Sequence, residues 1–191
     1  MSDDQHAKGS MGYLMEMGAL KRGRRSGWWI AGIRDPESIA EHSFRVAVIG
    51  AVLAMLEGAD AAKVALLCTF HDTQETRVGD IPWIGRRYLT AAKNQDVTRD
   101  QVADAHPVVA AGIQAVVDEY ETGDSVEVLI AHDADKLECM IQGLEYLEQG
   151  YSNASEWVDS TRAKLKTASA IKLAEAAQGM SSADWQRTYL R

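Results

Sequence analysis

The chain is short of helix breakers, of cysteine and of basic charge. Only three prolines occur, at 36, 82 and 107, and each falls where a helix begins or a loop turns. Alternating runs of β-branched residues are almost absent, so the period-two pattern of a half-buried sheet is missing. Two cysteines, Cys68 and Cys139, cannot supply a disulfide framework. Both sit inside apolar helical patterns and read as reduced core residues of a cytoplasmic protein. Twenty Lys and Arg stand against 28 Asp and Glu, a net charge of −8 that argues against a broad nucleic-acid-binding face. No apolar run reaches the ~18 residues that mark a membrane span. The longest, VAVIGAVLAML at 46–56, suits a buried helix. The opening MSDDQHAKGS lacks the basic-then-apolar order of a secretory signal. Residues 1–10 are expected to be a loosely ordered tail, with 11–191 forming one domain.

What is present is helical periodicity. Apolar residues make up 46% of the chain and recur three and four apart. The first helix is expected over 11–21, followed by the turn RGRRSG at 22–27. Ser38 with Glu41 three residues on reads as a capping box for a helix running to about 57. Asp60 reads as the N-cap of a helix over 60–76. RVGDIPWIG (77–85) is a loop, and 86–120 holds one or two helices with Pro107 at a start. Gly123 lies in a turn, a long helix covers 126–148, and Gly150 stops it. Residues 153–177 read as one amphipathic helix and 182–190 as a short last one. The fold class is all-α, a single helical bundle.

Four residues carry the chemistry. His42 has Ile39, Val46 and Ile49 as helical neighbours, so it projects from an apolar stripe. His71 and Asp72 follow directly on the apolar run VALLCTF, with Glu75 one turn further on. Asp135 sits among Ile130, Leu137, Ile141 and Leu144. Singly, each has a plain reading: a satisfied core histidine, a solvated helix end, a surface aspartate. Together, two imidazoles and two carboxylates match a divalent cation, which would also be the missing partner for charge next to a core. A helical bundle can aim all four inward. A second His-Asp pair, His132-Asp133, competes for the same reading.

At this point the pattern resembles the H…HD…D signature of HD-domain metal-dependent phosphohydrolases. The blocks PESIAEHSFRVAV, FHDTQETRVGDIP, DEYETGDSVEVLIAHDADKLE and WVDSTRAKL look like the 5′-deoxynucleotidase-like branch, over roughly residues 12–170. The resemblance implies a metal site in the core, with His42, His71, Asp72 and Asp135 as ligands to one divalent ion (Mn, Co, Fe, Ni, Zn or Mg). His132-Asp133 is then incidental. It implies proton transfer by Glu75, beside Asp72, and sugar placement by Asp80. Trp28 matches a tryptophan lining the nucleotide pocket. The bacterial form of the branch has an arginine directly before that tryptophan; here the position is Gly27, and Arg25 is the replacement offered. The implied substrate is a 5′-(deoxy)nucleoside monophosphate, hydrolysed to nucleoside and phosphate, and the implied assembly is a homodimer. Rival readings keep the site and change the substrate to a guanosine polyphosphate alarmone or a nucleoside triphosphate. Another makes the chain a non-catalytic nucleotide sensor. The cationic clusters at 22–25 and 86–87 bear on the larger substrates, although Arg86 and Arg87 read more simply as solvated surface.

Overall fold

Hydrogen-bonding side chains start most of the long helices. In the computed structural model, which describes residues 2–187 and 189–190, Ser38 accepts from Glu41 N while Glu41 accepts from Ser38 N. That box opens α3 (Ile39–Glu57), which ends at Gly58 in a left-handed conformation, φ 72°. Asp60 caps α4 (Ala61–Phe70), and Ser125 caps α8 (Val126–Glu148). Pro107 opens α7 (Pro107–Thr122). The remaining helices are α1 (Asp3–Met17), α2 (Gly27–Ile30), α5 (Glu75–Val78), α6 (Asn94–Gln101), α9 (Ser155–Arg162), α10 (Ala168–Ala176) and α11 (Asp184–Arg187). Among the described residues there is no strand beyond an isolated bridge between Arg24 and Ser38. The fold is all-α.

The core lies where α3, α4 and α8 meet. Val46, Leu53, Leu67, Cys68, Ile130 and Leu137 are buried there in one cluster. Gly50 lets the three helices approach: a Cβ on it would stand 2.7 Å from Cys68 Sγ and 3.5 Å from Ala134 Cβ. A second cluster packs Trp28, Ile33, Tyr146 and Ala154, with Trp157 against it, and so fixes the segment after α1 over α8 and α9. A third joins Tyr13 of α1 to Val102, Ala105 and Ile113. By length and composition α3 is the one helix among the described residues apolar enough to cross a membrane, yet its inner face forms this core.

The structure departs from the sequence reading in three places. Residues 3–10, expected to be a loose tail, are the first half of α1, opened by a capping box between Ser2 and Gln5. Gly9 there lies flat against the Asp104 backbone, and Ser10 Oγ accepts from His106 N at 2.9 Å. The helix expected over 60–76 stops at Phe70 and resumes at Glu75, with His71 in the intervening turn. The helix expected over 153–177 breaks at 163–167, where Thr167 caps α10.

Candidate active site

That break after α4 is what makes a site. His42 sits in the second turn of α3, His71 and Asp72 in the turn after α4, and Asp135 in the middle of α8. Asp72 Oδ2 lies 3.1 Å from His71 Nε2 and 3.6 Å from His42 Nε2. Asp135 Oδ1 lies 3.2 Å from His42 Nε2 and 4.0 Å from His71 Nε2. Ligand atoms of His42, His71 and Asp135 thus lie within 4.8 Å of one another, and Asp72 Oδ2 stands against both imidazoles beside them.

The far sides of the rings decide their tautomers. His71 Nδ1 is 2.7 Å from the carbonyl of Cys68, which can only accept. His42 Nδ1 is 2.5 Å from Glu138 Oε2. Each neutral ring thus carries its proton on Nδ1 and turns the Nε2 lone pair inward. Both Nε2 atoms are buried and make no hydrogen bond. A ring nitrogen buried without a hydrogen bond and facing carboxylates is costly, and a cation, a proton or a metal ion, is what would relieve it. Electrostatics agree. Burial and Arg25 pull the His42 pKa down, but Glu138 and Asp135 outweigh them and push it up to about 10. Burial works against the charged form of Asp135, yet His42 and His71 bring it down to about 2. Burial likewise opposes ionised Asp72, and His71 and Arg25 hold it far below the usual range. The cage favours positive charge, and one divalent ion meets that demand with neutral imidazoles and two carboxylates.

The other expected residues surround this cage. Arg25 Nη1 donates to Asp72 Oδ2 at 3.1 Å and lies 4.0 Å from Asp80 Oδ1. Asp80 accepts from Ser26 N at 2.6 Å and from Ser26 Oγ at 3.2 Å, fastening the turn before α2 to the turn after α5. Trp28 is buried edge-on to Tyr146, 5.0 Å between ring centroids, and its indole N–H donates to Glu37 at 3.0 Å. It packs and lines the cavity at once. Glu75 Oε2 is buried without a hydrogen-bond partner; burial and the charge of Asp72 push this carboxyl up to about 9.

Two cavities open onto the cage, sharing Asp72, Glu75, Ile81 and Arg86. The first, about 360 Å³, has an aromatic wall of Trp28, Trp83 and Trp157. The second, about 510 Å³, is lined by Thr90, Lys93 and Asn94 among others.

The second His-Asp pair stands apart. Asp133 Oδ2 accepts from Lys166 N (2.8 Å), Thr167 N (2.7 Å) and Thr167 Oγ1 (2.9 Å). His132 packs at a tilt against Tyr120, 4.4 Å between centroids, and Tyr120 packs in turn against His71 at 5.5 Å. Sequence reasoning gave no role to Glu138, Glu37 or Arg45. Glu138 is fully buried and takes Arg45 Nε at 2.9 Å as well as His42. Its one sequence signal was a glutamate one turn after Asp135 in an apolar stretch. Partners of this kind are what would orient a ring to hold a metal.

Comparison with known proteins places this geometry. Residues 17–178 match the HD domain family. The chain belongs to the HD-domain family. The 5′-deoxynucleotidase HDDC2 of Bos taurus is 28% identical over 171 residues, spanning 87% of this HD-domain chain and 83% of that protein. The 5′-deoxynucleotidase hdd1 of Schizosaccharomyces pombe is 27% identical over 140 residues, 70% of each chain. A conserved hypothetical protein from Pyrococcus furiosus is 28% identical and superposes with a TM-score of 0.73, covering 90% of this chain and 100% of its own. The family expected from the motifs is the family found.

Proposed function

We propose that this HD domain is a metal-dependent 5′-nucleotidase that releases phosphate from 5′-deoxynucleoside monophosphates. The observation that carries the reading is the pair of buried, unpartnered Nε2 atoms of His42 and His71, facing Asp72 and Asp135 beside an aromatic-walled cavity. The 5′-deoxynucleotidase names of the relatives support the substrate class.

The four ligands would be His42, His71, Asp72 and Asp135. A divalent cation held by them supplies positive charge at a phosphate oxygen and acidity to water. Glu75 carries the proton traffic. A cation in the cage would draw this carboxyl back down from about 9, and as a carboxylate it would take a proton at Oε2 from the attacking water and return it to the departing sugar oxygen. Water oxygen bonds to phosphorus, the P–O5′ bond breaks, and nucleoside and phosphate leave. Arg25, paired with Asp72 and near Asp80, ties the cage to the wall that positions the sugar. Trp28 and Trp157, 5.8 Å between centroids, hold the shape of the base-binding side.

The chain is further proposed to act as a cytoplasmic homodimer. Phe44, Val48, Val52 and Met55 form an exposed apolar stripe along the outer face of α3, suited to a second copy. Sedimentation at micromolar concentration distinguishes dimer from monomer.

Phosphate release from a panel of 5′-deoxy- and ribonucleoside monophosphates tests the activity. Release that favours deoxynucleotides and disappears in Glu75→Gln is expected. No release from any monophosphate by metal-loaded protein would turn the reading to larger phosphorylated nucleotides or to a sensor.

A further inference from the structure

The phosphate must enter a pocket that is rich in negative charge. Asp72, Glu75, Asp80 and Asp135 all line the aromatic-walled cavity. The metal neutralises part of this, but a phosphate dianion still needs a cation of the protein's own. Three cationic side chains line that cavity: Arg25, Arg86 and Lys164. Arg25 is engaged with Asp72 and Asp80. Lys164 lies on the nucleoside side, beside Trp157, Ser160 and Thr161, and does not reach the second cavity. Arg86 alone of the three lines both cavities, and those cavities meet at Asp72 and Glu75, where phosphorus must sit for the chemistry to occur.

The local backbone holds Arg86 there. Pro82 O accepts from Gly85 N at 2.8 Å and from Arg86 N at 3.3 Å, and Gly85 O accepts from Tyr88 N at 2.9 Å. Arg86 Nε donates back to Ile81 O at 3.4 Å, and Ile81 lines both cavities as well. That leaves Nη1 and Nη2 without an ion pair among the described residues, two parallel donors in the fork that fits a phosphate. Arg87, its neighbour in the same turn, lines neither of these two cavities.

We propose that Arg86 anchors the phosphate of the substrate at the junction of the two cavities, an inference that rests on the nucleotidase reading. Arg86 and Arg87, both read above as solvated surface, are both exposed, and of the two only Arg86 lines the cavities.

Calorimetry with inorganic phosphate on metal-loaded protein tests this without turnover. Arg86→Ala should weaken phosphate binding by about 10- to 100-fold, the usual loss for a charge-assisted contact. Arg86→Lys should fall between, and Arg87→Ala should match wild type. Binding of thymidine, which has no phosphate, should be unchanged in all three. KM for thymidine monophosphate should rise with the phosphate dissociation constant. Unchanged phosphate affinity in Arg86→Ala overturns the proposal, as does an equal loss of thymidine affinity, which would make Arg86 a general wall residue. If wild type hydrolyses no monophosphate yet its phosphate binding depends on Arg86, the nucleotidase reading fails and the anchor stands. If it hydrolyses them and Arg86→Ala binds phosphate normally, only the anchor fails.

Discussion

Replacing Asp133 by alanine should destabilise the bundle and leave the metal cage intact. Asp133 is fully buried, and its Oδ2 receives three hydrogen bonds from Lys166 and Thr167 at the start of α10. Truncation orphans two backbone N–H groups and one hydroxyl in the interior. Each hydrogen bond to a charged group contributes ~1.5–3 kcal/mol, and such terms overlap when they share one acceptor, so the loss should be roughly 3–5 kcal/mol. In a domain of this size that corresponds to a fall in Tm of roughly 6–20 °C. Asp133→Asn keeps one acceptor oxygen and should lose less. Urea unfolding gives the stability change, and metal content of the folded variants gives the site. A loss below about 1 kcal/mol would refute the clamp. A stable, folded Asp133→Ala that no longer retains metal would show that the second His-Asp pair belongs to the site after all.

Two further perturbations probe the frame around the site. Arg77, with Thr76 and Gln101, holds the Glu16 carboxyl down at about 2 and so ties α1 to α5 and α6. A depressed pKa contributes stability above the unfolded value near 4.5 that is lost as pH falls through about 2. After discounting for the exposed Arg77, Glu16→Gln should cost ~1–2 kcal/mol at pH 7, and the gap should close towards pH 2 in urea titrations. A gap that does not shrink on acidification would place the effect elsewhere. Gly50→Ala would set a Cβ 2.7 Å from Cys68 Sγ and 2.9 Å from Val64 Cγ1. Overpacking should outweigh the ~1 kcal/mol helix gain and lower stability by about 1–2 kcal/mol in thermal denaturation; a stabilised variant would contradict the close approach of α3 and α4.

What could be read from the sequence was what short-range physics determines. Ser38 with Glu41, Asp60, Pro107 and the span 126–148 marked helix limits that the structure keeps, because a cap and its helix lie within a few residues. His42, His71, Asp72 and Asp135 stood out as polar groups set in apolar runs, and the fold brings them together. The start of α1 was hidden because its anchors are a glycine packed on Asp104 and a serine bonded to His106, with no apolar pattern to announce them. The break at His71 was hidden because VALLCTF runs apolar straight to it. Glu138 was missed because its partners, His42 and Arg45, are more than 90 positions away and only the assembled core shows the pairing. Arg86 and Arg87 are alike in sequence, and the turn that points one of them at the cavities is set by backbone hydrogen bonds.

The central claim is that the His42, His71, Asp72 and Asp135 cage binds the metal on which phosphate release depends. Its most direct test titrates a divalent ion into metal-stripped protein, following bound metal and phosphate release from a deoxynucleoside monophosphate in the same samples. Release should be absent without metal and rise in proportion to occupancy, reaching its plateau at one ion per chain. His71→Ala should bind no ion and release nothing. Full release from the metal-free chain, or undiminished release by His71→Ala, would contradict the account.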